Sequence, residues 1–514
     1  MARGTIQSIL VLGGGSAGFL AAITLKRWLP RLNVTVLRSK DIGIIGVGEG
    51  TTVAVTNHLH GYLGLDPGEF HREVDPVWKL GGRLIWGSRP YFDYGFSQQL
   101  NHKYPDLPKS TGFYAYDDMS DYGMHSAMMS RNRAFRRDDA GLPIVDGAFA
   151  YHLENETFVR WLEKTAARMG VTIMDGTVVD VKQAEVGITA LHLDDGRSMS
   201  ADLFVDASGF QSVLIRKALS EPHISYKSSL WCDRAVVGGW DRQDEPIQPY
   251  TVLETMDAGW AWRIDHRRKI NRGYVFSSAF LSDELAEREF RQKNPKLDST
   301  RIVPFTSGRH QRTWVKNVVA IGNAFGFVEP LEATSLGMIC HFAQILGVLL
   351  HDTDGHVSPS QQSLYNGILT SAFDNIRWFL SIHYKFNERL ASSFWQECRE
   401  KVDFSGAAPI VNYYQENGPT TLLRTPLLDP GDPFGTEGYL ALLLGQKVPF
   451  RQSYVPSDED QERWQAHRMS IRQMADRAVG VAEAMALLKS PHWKWHRGTF
   501  VLGTTSGAVA SSRS

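Results

Sequence analysis

The sequence has almost no surplus charge: 55 lysines and arginines stand against 56 aspartates and glutamates in 514 residues. That balance removes the bulk attraction a basic protein feels for nucleic acid or an anionic membrane surface, and neither partner is expected. The basic run Arg131-Asn-Arg-Ala-Phe-Arg-Arg137 reads as solvated surface. Cysteine is scarce. Cys232, Cys340 and Cys398 are far apart and form no C-x-x-C pair, which argues against a metal centre or a disulfide framework and points to a reducing cytoplasm. Long apolar runs are missing too. The longest, from Leu336 to Leu350, contains His341 and Gln344, so no membrane span is expected. Met1-Ala-Arg-Gly-Thr-Ile6 runs straight into an apolar stretch, and no signal peptide is expected there.

What the chain does have is core-forming material, 43% apolar residues, enough for two to four domains. Near its start lies Val11-Leu-Gly-Gly-Gly-Ser-Ala-Gly-Phe-Leu-Ala-Ala22, a G-x-G-x-x-G turn after the apolar strand Ile9 to Leu12. Glycines at this point let the backbone approach a pyrophosphate, and the following helix aims its N-terminus at the negative charge. Close packing alone also calls for such turns. Asn33-Val-Thr-Val-Leu-Arg38 reads as a second parallel strand, completing a strand-helix-strand unit, but it ends on Arg38 where nucleotide-binding folds commonly carry a ribose-binding acid. Gly46-Val-Gly-Glu-Gly-Thr-Thr52 is a second glycine-rich loop, fit either to lie against a cofactor or to be an ordinary turn.

Further along, 157–169 has helical spacing, while 171–174, 178–181 and 201–210 read as strands, the last ending in Asp206-Ala-Ser-Gly209. Asn317-Val-Val-Ala-Ile-Gly-Asn-Ala-Phe-Gly326 is another strand with a glycine turn. Three separated turns of this kind predict one discontinuous nucleotide-binding domain over 1–220 and 300–350. The stretch 221–299, rich in β-branched and aromatic residues, predicts a second sheet. Long amphipathic helices are expected over 351–503, for example from Asp458 to Leu488, and a disordered tail over 504–514.

These motifs, in this order and spacing, resemble the flavin-dependent halogenases of the tryptophan-halogenase type, over nearly the whole chain. The resemblance rests on the first glycine turn, the G-V-G-E loop at 46–49, the 206–210 strand end, Pro330-Leu-Glu-Ala-Thr334, Lys79 and Trp260-Ala-Trp262. It implies an α/β fold: a flavin-monooxygenase-like FAD-binding domain, with a Rossmann-type sheet plus a second β-sheet, and a C-terminal helical substrate region. FAD, used as FADH2, would be held by Gly13, Gly15, Ser16, Ala17, Gly18, Arg38, Gly48, Glu49, Gly50, Thr51, Asp206, Gly322 and Asn323.

In that family an essential lysine holds hypohalous acid or becomes a haloamine, and Lys79 matches its position. Read alone, a lysine beside Trp78 and Leu80 snorkels its ammonium to water. Glu332 matches the catalytic glutamate, which would stabilise and deprotonate the ring cation formed by electrophilic halogenation; read alone, it is a helix N-terminal carboxylate. Thr334 and Ser335 match the stretch whose backbone binds halide, chloride or bromide, and Ala333 stands where the family often has serine. Trp260 and Trp262, two apart on a strand, face one way and form either a core pair or the wall between flavin and substrate. The family's W-x-W-x-I-P is kept except that Asp265 replaces proline.

The substrate positions depart furthest. Phe92 and Tyr94 stand where a histidine and a phenylalanine are expected, and Phe434-Gly435 where Phe-Trp is usual; Tyr413, Tyr414 and Glu416 read as remnants of the family's amino-acid-binding segment. An opened pocket predicts an electron-rich aromatic, foremost an indole, that is not free tryptophan: a peptidyl tryptophan, a substituted indole or another bulky aromatic. The resemblance also implies a separate flavin reductase as partner, with a homodimer left open. A flavin-dependent aromatic hydroxylase and a non-catalytic flavin-binding redox module are the competing readings.

Overall fold

The computed structural model describes residues 5–40, 43, 48–97, 107, 110–116, 119–145, 147–420, 427–429, 431–451, 454–495 and 499–500. The expected tail at 504–514 and Gly46-Val47 of the second glycine loop lie outside them. The chain divides into two compact units, one of 1–65, 153–226 and 306–374, the other of 66–152, 227–305 and 375–514.

The first unit is built on a six-stranded sheet. Its spatial order is Thr172–Asp175, Asn33–Arg38, Ser8–Leu12, Leu203–Asp206, Val318–Ala320 and Trp314–Val315. All neighbours are parallel except the last pair. Numbered along the chain, the parallel strands run 3-2-1-4-5, the dinucleotide-binding order, whose switch point falls between the first and fourth strands. Strands at the centre are buried on both faces and therefore read as continuous apolar runs: Ile9 to Leu12 and Leu203 to Asp206 are buried throughout. Helices Ser16–Trp28 and Ser335–Asp352 pack together in this unit. The second of these is long and apolar enough to cross a membrane by length and composition, yet half of it is buried in the protein.

The second unit carries a seven-stranded sheet, ordered Thr300–Pro304, Arg234–Asp241, Lys269–Phe276, Gly259–Asp265, Thr251–Met256, Gly81–Ile85 and Phe92–Gly95. Helix Asp283–Lys293 covers one face through a core of Val236, Met256, Ala261, Tyr274, Phe276, Ala286 and Phe290. By strand alternation Trp260 and Trp262 occupy the opposite face. A short ribbon pairs Val77–Lys79 with Ala150–Leu153, setting Lys79 opposite Ala150.

Two expectations are corrected. The span 1–220 is not continuous within one unit, because Gly81–Ile85 and Phe92–Gly95 extend the second sheet: the former pairs in parallel with Thr251–Met256. The apolar spacing from Asp458 to Leu488 does not form one helix. It breaks into Asp458–Asp476 and Val481–Lys489, since Val479 leaves the helical path to pair with Phe135.

Candidate active site

The glycine turn lies at the carboxyl end of the central strand, beside the switch point of the first unit. Gly13 has φ +129°, and a Cβ there would meet the Ala207 carbonyl oxygen at 2.2 Å, so only glycine lets the turn tuck against the neighbouring strand end. Gly18 is required for a different reason: its Cβ would fall 1.9 Å from the Gly13 carbonyl oxygen, so it allows helix and turn to close up. Gly15, in contrast, leaves open space: a Cβ on it would meet nothing within 4 Å among the described residues. It caps helix Ser16–Trp28 without a side-chain hydrogen bond, leaving the first-turn N–H groups for an anion.

That open space is a cavity of about 670 Å³, within the range that holds a small molecule or cofactor. Of the expected residues it is lined by Gly13, Gly15, Ser16, Ala17, Arg38, Glu49, Asn323 and Ser335. Gly18, Gly48, Gly50, Thr51, Gly322, Thr334 and Asp206 are not in its lining. The fully buried Asp206 carboxylate is committed instead to Ser208 and to the backbone N–H groups of Leu214 and Ile215, which fastens the turn after its strand. Gly322, φ +63°, sits close to helix Ser16–Trp28: a Cβ there would meet Ala17 Cβ at 3.1 Å.

Helix Ser335–Asp352 brings a second N-terminus to the same cavity through Ser335, Leu336 and Ile339. Thr334 is its cap and makes no side-chain capping bond. Just before it, Glu332 ends the 3₁₀ turn Pro330–Glu332, and Ala333 follows in a left-handed conformation, φ +54°. A non-glycine residue held there marks local strain, which concentrates at functional sites. Two helix N-termini thus face one chamber, an arrangement suited to anionic groups.

Inside the cavity Glu49 accepts a 3.3 Å hydrogen bond from Asn155 Nδ2. Burial pushes its carboxyl up to about 7, the Asn155 bond opposing the shift. Sequence reading missed Asn155, Arg160 and Glu163, all from helix Asn155–Arg168 and all lining the cavity. The apolar spacing placed that helix, but periodicity says nothing of which polar face a ligand touches.

In the second unit, Lys79 is buried at 4% exposure with its Nζ 5.5 Å from the Phe96 ring centroid. A cation at that distance meets the ring's negative face. Its charge helps keep buried His152 well below the ordinary histidine range, although burial is the larger cause. His152 bonds the Asp265 carbonyl through Nδ1 and Thr251 Oγ1 through Nε2. Trp260 and Trp262 lie 6.0 Å apart at 53°, and the Trp262 ring occupies the space above Gly273, where a Cβ would fall 2.1 Å from it. Asp265, in place of proline, is 1% exposed and pairs with both Arg242 and Arg263 at 3.1 Å.

Phe92, Tyr94 and Phe434 converge on helix Gly435–Gly445. A Cβ on Gly438 would meet Tyr94 Oη at 2.6 Å and Phe434 Cβ at 2.9 Å, and one on Gly445 would meet the Phe92 ring. Tyr414 is not with them: it is fully buried, its hydroxyl on the Val448 carbonyl and its ring against Phe450. Its expected place in a substrate wall gives way to core packing. Tyr413, its neighbour, is half-buried.

The family model for tryptophan halogenases matches residues 8–461. The chain belongs to the tryptophan halogenase family. It is 32% identical over 462 residues to the tryptophan 7-halogenase KtzQ of Kutzneria sp. (strain 744), covering 84% of this chain and 85% of that one. Among solved structures it is similar to MibH, a lanthipeptide tryptophan 5-halogenase, with 38% identity, a TM-score of 0.85, and coverage of 95% and 94%. BrvH, a flavin-dependent halogenase from Brevundimonas sp. BAL3, matches with 26% identity, a TM-score of 0.82, and coverage of 94% and 99%. As a flavin-dependent halogenase, the protein is an oxidoreductase that takes a flavin cofactor and a halide.

Proposed function

We propose that this halogenase takes FADH2 from a separate flavin reductase and, with O2, installs chloride or bromide on an indole other than free tryptophan, peptidyl tryptophan being the leading case. The observation that carries the cofactor reading is the convergence of two uncapped helix N-termini on one glycine-walled cavity. The cavity fits a dinucleotide. Gly13 and Gly15 supply the backbone cradle, and the Ser16 helix faces the pyrophosphate. Reduced FAD and O2 supply the oxidising power that turns halide into hypohalous acid.

The chain's own residues do the rest. The first-turn N–H groups after Thr334 hold the halide, with Ser335 at the cavity wall. Lys79, as an ammonium, donates hydrogen bonds that hold and polarise hypohalous acid; as a free amine it takes the halogen from hypohalous acid, the O–halogen bond breaking as water leaves with the amine proton. Glu332 stabilises the ring cation and accepts the proton from the halogenated carbon. Trp260 and Trp262 match the pair that the family resemblance implies as the wall between flavin and substrate.

The substrate reading rests on Gly435. Where a tryptophan would close the pocket, this glycine has φ +60° and a Cβ on it would meet nothing within 4 Å among the described residues, leaving room beside Phe434 for a larger indole. MibH, named for a lanthipeptide tryptophan, makes a peptide the class to test first. The test supplies enzyme, reductase, FAD, NADH and chloride or bromide to free L-tryptophan, N-acetyl-tryptophanamide and Trp-containing peptides, with isotope patterns read by mass spectrometry. Larger indoles are expected to outrun free tryptophan; the reverse order across the panel sinks the substrate reading. Lys79→Ala is expected to abolish halogen incorporation while flavin binding persists.

A further inference from the structure

The carboxyl end of strand Asn33–Arg38 is the place from which an acid commonly grips a nucleotide's ribose, and here it carries a cation. Arg38 does not stand free. Its Nη1 donates to Glu163 Oε2 at 2.6 Å and its Nε to Asp175 Oδ1 at 3.0 Å, while Lys40 reaches the other Asp175 oxygen at 2.8 Å. Asp175 is also the register partner of Arg38 on the adjacent strand. The stem of Arg38 lies against the glycine turn: a Cβ on Gly14 would meet Arg38 Cβ at 2.6 Å and Cδ at 2.9 Å. The guanidinium therefore spans from the turn that cradles the pyrophosphate to a glutamate on helix Asn155–Arg168, and both Arg38 and Glu163 line the cavity.

We infer that Glu163 is the ribose-binding acid of this protein, supplied from the helix instead of the strand, and that Arg38 is the positioning residue that holds it in place. The inference rests on the FAD reading above, since only a cofactor with an adenosine half presents that ribose. An arginine at the strand end can also serve a 2′-phosphorylated ribose. The geometry disfavours that use, because Arg38 already pairs with two carboxylates, through Nε and Nη1, and their charge would repel a further phosphate. Glu163 keeps its Oε1 without a protein partner among the described residues, and a carboxylate oxygen at the cavity wall accepts from vicinal hydroxyls.

The test pairs ligand and protein changes, read by calorimetric binding to the full-length protein, so halogenation is not the readout. The probes are FAD, FMN, ADP, 2′,3′-dideoxy-ADP and adenosine 2′,5′-bisphosphate. Wild type is expected to prefer ADP over the dideoxy form by about tenfold or more, the worth of hydrogen bonds to a charged acceptor. In Glu163→Ala that preference should vanish, and FAD binding should weaken while FMN binding is unchanged. Arg38→Ala should erase most of the preference as well, with Arg38→Lys restoring part of it. A preference for ADP that survives in Glu163→Ala overturns the inference, as does tighter binding of the 2′,5′-bisphosphate than of ADP by wild type. Failure of wild type to bind FAD more tightly than FMN would overturn the FAD reading itself, a separate outcome. Thermal unfolding of Glu163→Ala and Glu163→Gln identifies any variant that has lost its fold.

Discussion

Phe434 lies flat on Phe379, ring centroids 3.7 Å apart and planes 11° from parallel, with the Tyr439 ring edge-on to Phe379 at 5.0 Å. Phe379 is fully buried, so one face of Phe434 is fixed against the core while Gly435 beside it opens to space. The stack should be measurable as a coupling. In a double-mutant cycle of Phe379→Leu and Phe434→Leu, urea unfolding is expected to show about 0.5–1.5 kcal/mol of non-additivity. On the substrate reading proposed above, in which this ring positions the indole, Phe434→Leu should also raise KM for the preferred indole more than it lowers kcat.

Gly13 and Gly15, two positions apart in the first glycine turn, are expected to separate folding from cofactor binding. Gly13→Ala drives a Cβ into the Ala207 carbonyl at 2.2 Å and forces φ +129° on an alanine, so it is expected to lower stability by several kcal/mol. Gly15→Val puts its side chain into the cavity, where a Cβ meets nothing within 4 Å among the described residues. Its stability should stay within about 0.5 kcal/mol of wild type, yet flavin titration followed by fluorescence should show binding weakened at least tenfold. Normal flavin affinity in Gly15→Val would remove the cavity as the cofactor's seat.

Local patterns carried the first unit a long way. Alternating apolar runs and a glycine turn placed the strand Asn33–Arg38 residue for residue, and Ser8–Leu12 to within one residue, because both signals lie within a few positions of each other. The 3-2-1-4-5 order could not be read so directly, since pairing of 203–206 with 9–12 is set by tertiary contact. The clamp on Arg38 was invisible for the same reason: Glu163 is 125 residues away. Phe379 and Val479 show the other failure. Each sits in a segment with helical spacing, and spacing does not say that one ring will stack on Phe434 or that the other residue will leave the helix to pair with Phe135. Asp265 looked like a weakened motif, and only the structure shows it holding two arginines.

Acid should loosen the first unit through His58. Thr24 donates its hydroxyl proton to the Leu20 carbonyl, so its oxygen accepts from His58 Nε2 at 2.9 Å. The buried Nδ1 is then unprotonated and has no partner among the described residues. Burial, with a smaller contribution from His341, pulls the imidazole down to about 3. The unfolded chain binds a proton near 6.5 and the folded one does not until about 3. Stability is therefore full above pH 6.5 and falls as pH drops toward 3, by about 2 kcal/mol at pH 5 from this group. His58→Gln should flatten the pH 5–7 slope of unfolding free energy by that amount; an unchanged slope would mean His58 titrates normally in the fold.

Trp262 and Gly273 are matched across neighbouring strands, and the match is steric. A Cβ at 273 would overlap the indole at 2.1 Å, so Gly273→Ala must displace Trp262 or part the strands. The expected loss is about 1–3 kcal/mol, typical of overpacking. Trp262→Leu in the same chain should recover part of it, because the obstructing ring is gone. Tryptophan emission should shift in Gly273→Ala if the indole moves, and halogenation should fall with it if the wall is part of the site.

Asp265 gives the sharpest structural prediction, because it stands where the family signature has proline. Its Oδ1 is shared by Arg242 and Arg263, its Oδ2 accepts from the Gln248 N–H at 2.8 Å, and Arg242 also donates to the carbonyls of Glu245 and His266. One buried carboxylate thereby ties strand Gly259–Asp265 to the loop at 242–248, and the backbone carbonyl of the same residue accepts from His152. Removing it leaves the nearly buried Arg242 side chain, 7% exposed, without its counter-charge. Asp265→Ala is expected to destabilise by about 3–5 kcal/mol, the range for breaking a buried pair from one side. Asp265→Pro should fare no better, since proline restores neither oxygen. Arg242→Met together with Asp265→Leu should recover much of the loss, because removing both charges removes the unpaired one. Urea unfolding of the three variants beside wild type checks the order, and a single Asp265→Ala loss below about 1 kcal/mol would show that solvent, not Asp265, neutralises Arg242.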